Sequence, residues 1–572
     1  MTATTRLAPL ARRSLAVSSL FTVVAAAFVI LGRLTFPWEL EFMTGSVMDH
    51  IERVRAGQPI YVEPSSEFIP FLYPPVYYWL AALLGGTTIA ARSISIAASL
   101  VQGILVWRLT RGFGASRFWA FVGVGCFAGC FRYVGYWYDL ERADSLLGAL
   151  VVVAAALLVG SRRLSVHFVA GVICGIGCFT KQQAVFYVAG AAGGLLAAHR
   201  ASDADRSSAP REAAAFGAGV AVAAFGLLFY VRGDWAAYYL LRMPRAHGLM
   251  PELVGEVFAR DLVFGPLLFA STIAASYHAL VGVTRRSVTR AEIVFCAILA
   301  AGFAGAISSR IHIGGWINVL VPWTTFACVA LAVACARLEQ RRSAPKWTLA
   351  LSLAVVAQIG LWGYDPRAVL PKEKTLAGIR AFRERVASFE KEGEVVVAGR
   401  GNVTTPRRFH IAALADVVRV DGHSPPDLVA KLRARRFSAI FDDVRPFFVN
   451  RNERWPPILL EDVDDLRQPI LANYFVAERL DPEPIGLALR APLDPMWIYR
   501  PRKNPLETTD LVLLRKHQLA EASLAGRRAD ALARGQAAPF SEAEIEERAA
   551  AYVAAHPATP WEAGEEQKTE SK

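Results

Sequence analysis

The chain alternates between long apolar segments and shorter polar segments. Because a helix needs about 20 residues to cross the hydrocarbon core of a bilayer, the longer apolar segments predict membrane spans. About eleven spans are predicted on this basis. They lie near residues 15–31, 89–107, 118–136, 145–160, 166–179, 184–196, 213–231, 262–283, 291–308, 316–336 and 347–364.

The polar segments between the predicted spans differ in charge. Every second one is basic, with arginine or lysine within 108–117, 162–163, 200–211, 285–290 and 337–346. Basic loops stay in the cytoplasm, and Arg6, Arg12 and Arg13 precede the first span, so the amino terminus is predicted to be cytoplasmic. The first span lacks a small-residue cleavage site and is expected to be retained.

This alternation requires that the apolar segment 75–84 does not cross the bilayer. It is too short for a span, and an interfacial helix along the outer leaflet fits its length. Residues 33–88 then form the first external loop, in which Gly85 and Gly86 follow the short helix.

Composition supports a multi-pass membrane protein. Of 572 residues, 54% are hydrophobic and 20% are charged, which is too apolar for a soluble protein of this size. The net charge of +12 is explained by the basic loops, so no nucleic-acid partner is expected. All seven cysteines lie in apolar segments, where they are expected to be small buried residues rather than disulfides or metal ligands.

The composition changes after residue 364. Residues 365–504 mix charged segments with predicted strands at 394–398, 416–420 and 438–441, which together predict a small α/β domain. Because the eleventh span ends outside, this domain is predicted to be external, in the periplasm of a bacterium. Residues 505–572 are rich in Ala, Arg and Glu, and they are predicted to form a helical or disordered tail.

Polar residues collect in the loops that are predicted to be external. Glu39 and Glu41 follow the first span, and an aromatic segment with two prolines leads from Tyr73 towards the next. A carboxylate held at the membrane surface beneath aromatic side chains suits an enzyme that handles a lipid-linked substrate. The candidate site residues in these loops are Glu39, Glu41, Tyr73, Tyr77, Tyr78, Trp79, Asp139, Arg142, Asp144, Lys181, Arg310, His312 and Asn318.

Four motifs resemble the C-type (GT-C) glycosyltransferases, in particular bacterial proteins similar to protein mannosyltransferases and to aminoarabinose transferases. They are the first-loop acid with GQPIY and YPPVYY, then WYDLERADSL, TKQQ and GGWIN. The resemblance covers roughly residues 35–336. It implies a membrane enzyme that moves a hexose or pentose from a polyprenyl-phosphate donor, with inversion, to a glycan, lipid or protein acceptor among the membrane lipids.

The resemblance also implies roles for individual residues. Glu41 matches the essential first-loop acid and would be the general base, although Glu39 stays open because relatives vary there. Asp139 or Asp144 would position the acceptor or an optional divalent cation; no closed set of metal ligands is present. Lys181, Arg142 and Arg310 would neutralise the donor phosphate, and the aromatics, His312 and Asn318 would contact lipid or sugar.

Simpler interpretations remain open for several of these residues. Asp144 fits a helix N-cap, Asp139 and Arg142 fit an i, i+3 ion pair, and Lys181 fits a lysine that extends to the interface from a helix end. A transporter is the alternative of another class, but no repeated halves are seen in the sequence. A non-catalytic scaffold with an external binding domain is the third reading.

Overall fold

The computed structural model describes residues 3–41, 43–200, 203–341, 345–397, 411–443, 463–480 and 496–556. The chain is a mostly helical, polytopic membrane protein with a small α/β domain at its carboxyl end. The helices up to residue 364, called the membrane part below, are α1 (Ala3–Leu34), α2 (Thr44–Arg55), α3 (Val76–Leu83), α4 (Thr88–Gly112), α5 (Arg117–Tyr133), α6 (Ala143–Gly160), α7 (Leu164–Cys178), α8 (Ala184–Ala197), α9 (Asp203–Tyr230), α10 (Asp234–Ala237), α11 (Met243–Ala246), α12 (Pro251–Glu256), α13 (Pro266–Arg285), α14 (Arg290–Arg310), α15 (Val321–Arg341) and α16 (Pro345–Leu361).

Each predicted span coincides with one of these helices. Among the described residues, seven helices are long and apolar enough to cross a membrane, and α7, α8 and α16 are shorter apolar helices. The predicted span 118–136 coincides with α5, which ends at Tyr133. The length of the apolar segments was sufficient to locate the helices that coincide with predicted spans, because a helix needs about 20 apolar residues to cross a bilayer.

Glycine permits the closest helix contacts in the membrane part. On α7, a Cβ atom at Gly171 would lie 2.0 Å from the Phe216 carbonyl oxygen of α9. On α9, a Cβ atom at Gly219 would lie 2.0 Å from the Phe168 carbonyl oxygen of α7. The two backbones therefore touch, which is how small residues let membrane helices pack without a hydrophobic driving force between them.

The first loop contains more helix than was predicted. The short helix expected at 75–84 is present as α3, and the chain turns after it at Gly85 and Gly86, both with positive φ. The loop also contains α2, which the sequence analysis did not predict. On α2, Val47, Met48 and Ile51 are buried at helical spacing and hold the loop against the rest of the membrane part.

The topology can be tested with reporters fused at Arg111 and at Glu394. An odd number of predicted spans separates the two positions, so we expect the reporters to lie on opposite sides of the membrane. Protease protection or a compartment-specific enzyme reporter would measure this in intact cells. Reporters on the same side would show that a predicted span does not cross, and the assignment of the outer loops would then be wrong.

The α/β domain contains a four-stranded sheet in the order β1-β2-β4-β3. Strands β1 and β2 are parallel, and the other neighbouring pairs are antiparallel. The elements of this domain are α17 (Glu373–Glu390), β1 (Glu394–Val397), α18 (Ile411–Asp421), α19 (Pro426–Arg433), β2 (Phe437–Asp443), α20 (Asp464–Asn473), β3 (Tyr474–Leu480), β4 (Met496–Pro501), α21 (Leu511–Ala533) and α22 (Glu542–Ala555).

The strand predictions were right at two places and wrong at one. Strand β1 matches the prediction at 394–398, except that residue 398 lies outside the described residues, and β2 contains the predicted strand 438–441. The prediction at 416–420 is wrong because these residues belong to α18. Ala413, Leu414 and Val417 are buried there at helical spacing, so a period of 3.6 prevails over the β propensity of the valines.

The segment after residue 505, expected to be a tail, contributes two helices to this domain. Helix α21 packs against β3. On it, Glu521 forms a buried ion pair with Arg502, Oε1 to Nη1 2.6 Å, and accepts a hydrogen bond from the Val476 backbone N–H at 3.1 Å. Residues 557–572 lie outside the described part of the chain.

Glu521 gives the α/β domain a predicted pH dependence. Burial raises the pKa of Glu521 from 4.5 to about 7, although Arg502 opposes the shift. A raised folded-state pKa means that the contribution to stability is complete below pH 4.5 and is lost as the pH rises through about 7. We expect the free energy of unfolding of this domain to fall by up to about 3 kcal/mol over that window, which thermal unfolding would measure. Glu521→Gln should remove this slope, and an unchanged slope would contradict the assignment.

Candidate active site

The loop between α5 and α6 brings two buried carboxylates to two buried arginines. Asp139 Oδ1 lies 3.2 Å from Arg33 Nη1, at the end of α1, and Glu141 Oε1 lies 2.6 Å from Arg92 Nε, on α4. All four side chains are almost completely buried. Burial raises the pKa of Asp139 and of Glu141, and the neighbouring arginines oppose this shift. These two pairs fix the loop between α1 and α4, and each carboxylate depends on its arginine to remain charged.

Glu41 lies next to the charged end of the same loop. Its Oε2 is 3.6 Å from Arg142 Nη1 and accepts a hydrogen bond from the Met43 backbone N–H at 3.1 Å. Arg142 Nη2 donates to the Tyr73 hydroxyl at 3.1 Å, and the guanidinium also lies over the ring of Trp137, 5.1 Å from its centroid. The first-loop acid and the first aromatic of the YPPVYY motif are thus joined through one arginine.

Asp144, Lys181 and Asn318 form a second polar cluster beside the first. The Lys181 ammonium donates to Asp144 Oδ1, and the Asn318 amide donates to the same oxygen at 2.9 Å. All three side chains are buried. Three of the resembling motifs, WYDLERADSL, TKQQ and GGWIN, therefore meet at one carboxylate.

The two glutamines of the TKQQ motif connect the surrounding loops. Gln182 donates to the Leu72 carbonyl oxygen in the first loop at 2.6 Å. Gln183 donates to the Val319 carbonyl oxygen at 2.9 Å, next to Asn318. The motif thereby holds the first loop and the segment before α15 on either side of Lys181.

A narrow cleft of about 10 Å³ lies between the two clusters. Its walls include Val47, Tyr73, Tyr78, Arg142, Asp144 and Lys181. Two polar groups on these walls, Arg142 Nη1 and the Tyr78 hydroxyl, are buried and have no hydrogen-bond partner among the described residues. Because buried polar groups are nearly always hydrogen-bonded, this arrangement favours a ligand that supplies acceptor atoms.

His50 packs against Tyr78 of the cleft wall. The sequence analysis did not identify it as a candidate. Its Nδ1–H donates to the Ser46 carbonyl oxygen at 2.6 Å, so its Nε2 accepts the Phe71 backbone N–H at 2.9 Å. Its ring stacks on Tyr78 with centroids 4.9 Å apart. Burial lowers the pKa of His50 to about 4, which keeps the ring neutral. In the sequence, the one signal for this role is the helical spacing of the apolar residues around His50 on α2.

Other candidates lie away from the cleft walls. Arg310 is buried among its own partners, with Nε 2.9 Å from Asp261 Oδ2 and Nη2 2.7 Å from Glu256 Oε2. His312 contacts the His247 carbonyl oxygen at 3.1 Å. Glu39 is half-buried, whereas Glu41 is buried.

The aromatic candidates also divide. Tyr73, Tyr77 and Tyr78 line the cleft, and the Tyr77 hydroxyl donates to the Ala91 carbonyl oxygen at 2.9 Å. Trp79 packs edge-on against Tyr230 instead. Tyr77 and Tyr78 are buried in the protein rather than exposed as interfacial anchors.

The simpler interpretations of three polar residues are wrong. Asp139 pairs with Arg33 and not with Arg142. The N-cap of α6 is Arg142, without a side-chain cap, so Asp144 lies in the first turn and not at the cap. Lys181 is buried against Asp144 and does not extend to an interface.

The described residues contain no group of three or more His, Cys, Asp or Glu that could hold a metal ion. No divalent-cation site is therefore assigned within the described ranges. All seven cysteines are free thiols.

No family model and no curated protein matches this chain. Its fold is similar to that of an oligosaccharyltransferase from Archaeoglobus fulgidus tethered with an acceptor peptide containing the NVT sequon (TM-score 0.45, 11% identity, 74% of this chain and 69% of that chain). It is also similar to ArnT from Cupriavidus metallidurans bound to undecaprenyl phosphate (TM-score 0.44, 13% identity, 74% of this chain and 92% of that chain). At these scores and identities, the similarity assigns no donor, acceptor or catalytic residue to this chain.

Proposed function

We propose that this chain is a GT-C membrane glycosyltransferase of the bacterial inner membrane. It would transfer a sugar from a polyprenyl-phosphate donor to a glycan, lipid or protein acceptor at the outer face, where the α/β domain would also lie. The observation that supports this most directly is the cleft itself. The Asp144 carboxylate, the Lys181 ammonium and two buried polar groups without a hydrogen bond among the described residues lie around it, and three of the resembling motifs, YPPVYY, WYDLERADSL and TKQQ, supply most of its walls.

Glu41 is proposed as the general base. The acceptor hydroxyl or amine attacks the anomeric carbon, the bond from that carbon to the phosphate oxygen breaks, and the acceptor proton passes to the base. A single displacement of this kind inverts the anomeric configuration. The Glu41 carboxylate is buried and lies 3.6 Å from Arg142, a residue of the cleft wall, whereas Glu39 is half-buried, which supports Glu41 over Glu39 as the base.

Arg142 and Lys181 are proposed to bind the donor phosphate. The phosphate leaves with the electron pair of the broken bond and needs cations rather than a general acid. Arg142 Nη1 makes no hydrogen bond within the described structure and can donate to a phosphate oxygen, with the Tyr78 hydroxyl as a second donor. Asp144, which also accepts a hydrogen bond from the Asn318 amide, would hold the Lys181 ammonium in place.

The contacts change the proposed roles of two candidates. Asp139 forms an ion pair with Arg33 and is not among the residues of the cleft walls. We therefore propose that it positions the loop between α5 and α6 and does not act in catalysis. Arg310 is occupied by Asp261 and Glu256, and it is proposed to hold the loop before α13 rather than the phosphate.

Mass spectrometry of lipids that co-purify with the protein tests this proposal. We expect a polyprenyl phosphate, and we expect Arg142→Gln to lower its occupancy because a phosphate partner is lost. Arg245→Gln is the matched control, since Arg245 is an exposed arginine in a loop predicted to be external. Recovery of bulk phospholipids alone from the wild-type protein would count against the transferase and in favour of a transporter or scaffold.

A further inference from the structure

A large cavity lies at the opposite end of α6 from the proposed active site. Asp144 stands in the first turn of α6, and Gly160 ends the helix 16 residues later, about 24 Å away along its axis. A cavity of about 1020 Å³ surrounds the Gly160 end. It lies at the face that the basic loops predict to be cytoplasmic, so it is separate from the cleft.

The cavity lies between α4 and α6, beside a point where the two helices touch closely. Near the proposed active site, Gln102 of α4 donates to the Ser145 carbonyl oxygen of α6 at 3.0 Å, and a Cβ atom at Gly148 would lie 2.3 Å from Gln102 Oε1. Towards the Gly160 end of α6, Ile104 and Leu105 of α4 and Ala156 of α6 line the cavity. The walls there are apolar, and Ile104 is 55% exposed, so the cavity opens sideways from the bundle.

The rim of the cavity is charged. Arg337 pairs with Glu292, and Glu292 also accepts a hydrogen bond from the Thr289 backbone N–H at 2.8 Å. The carboxylate on the rim is therefore neutralised by its own neighbours. Arg108 is exposed on the last turns of α4 and has no carboxylate partner among the described residues. The positive charge of Arg108 thus remains without a neutralising carboxylate beside the apolar walls of the cavity.

We propose that this cavity is a binding site for an acidic phospholipid of the cytoplasmic leaflet, with its headgroup phosphate at Arg108 and an acyl chain between α4 and α6. The volume is at the upper end of the range for ligand sites, about 300–1,000 Å³. Basic pockets between membrane helices on the cytoplasmic side suit anionic headgroups. Apolar walls that open to the side suit a hydrocarbon chain better than a water-soluble ligand.

Native mass spectrometry with added phosphatidylglycerol or phosphatidylcholine tests this proposal. We expect the wild-type protein to retain phosphatidylglycerol more strongly, and Arg108→Ala to weaken its retention about five-fold. Ala156→Trp should fill the cavity and reduce the retention of both lipids. Arg285→Ala is the matched control, because Arg285 is an exposed arginine at the same predicted face and lies outside the cavity walls.

Three outcomes would overturn the proposal. Equal losses in Arg108→Ala and Arg285→Ala would show general attraction to a basic surface. Equal retention of the two phospholipids would remove the headgroup preference, and a loss of added polyprenyl phosphate rather than of phosphatidylglycerol in Arg108→Ala would assign the cavity to another lipid class. Arg108→Ala changes an exposed side chain, so it keeps the test decisive if Ala156→Trp does not fold. Sugar transfer should be unchanged in Arg108→Ala, which separates this site from the proposed active site.

Discussion

Glu41→Gln is expected to lower sugar transfer by about a hundred- to ten-thousand-fold, the range for loss of a general base. The substitution keeps the shape of the side chain and its contact with the Met43 backbone N–H, but it removes the proton acceptor. Donor binding should change little, because the phosphate partners Arg142 and Lys181 remain. Release of polyprenyl phosphate from a polyprenyl-phosphate-linked sugar, in membranes that supply the acceptor, would measure turnover. Co-purified lipid would measure donor binding.

Glu39→Gln is the matched control for this prediction. It removes the same charge two residues earlier in the same loop, from a half-buried position. Its effect on turnover should therefore be small. An essential Glu39 beside a fully active Glu41 variant would move the base to Glu39, whereas full activity in both variants would contradict the transferase proposal.

The long helices of the membrane part could be located from the sequence because each depends only on local composition. An apolar segment of sufficient length forms a helix in a bilayer whatever its neighbours are, since no water is present to satisfy its backbone groups. The strand prediction at 416–420 shows the opposite case. This segment, with three valines of high β propensity among its five residues, became part of a helix because the buried face of α18 continues through it.

The site could be located in part. The acids, the TKQQ motif and Asn318 were identified as outer-loop residues, and the structure brings Glu41, Arg142, Asp144, Lys181 and Asn318 to adjacent clusters. The pairing of charges could not be predicted. Asp139 and Arg33 are 106 positions apart, and four carboxylates near several arginines allow many pairings that only the packing decides.

Arg92 connects the buried pairs to the proposed base. Besides its ion pair with Glu141, it donates to the Arg33 carbonyl oxygen at 2.8 Å and to the Trp38 carbonyl oxygen at 2.6 Å. It also donates to the Phe36 carbonyl oxygen. These carbonyls lie just before Glu41 in the chain. One arginine thus neutralises a carboxylate of the α5–α6 loop and fixes the path of the first loop towards the cleft.

Arg92→Met is therefore expected to destabilise the folded protein by about 3–5 kcal/mol, because it leaves Glu141 in a buried place without its ion-pair partner. Thermal unfolding in detergent, followed as the loss of monodisperse protein, would measure this. Adding Glu141→Gln should recover part of the loss but not all of it, since the three carbonyls before Glu41 still lack their donor. Arg12→Met, which breaks the part-exposed pair between Arg12 and Glu339, is the matched control and should cost less than about 1 kcal/mol. If Arg92→Met were as mild as Arg12→Met, the buried pair would not be what holds the first loop. A double variant that is stable but inactive would show that Arg92 positions Glu41 through its hydrogen bonds to the three carbonyl oxygens.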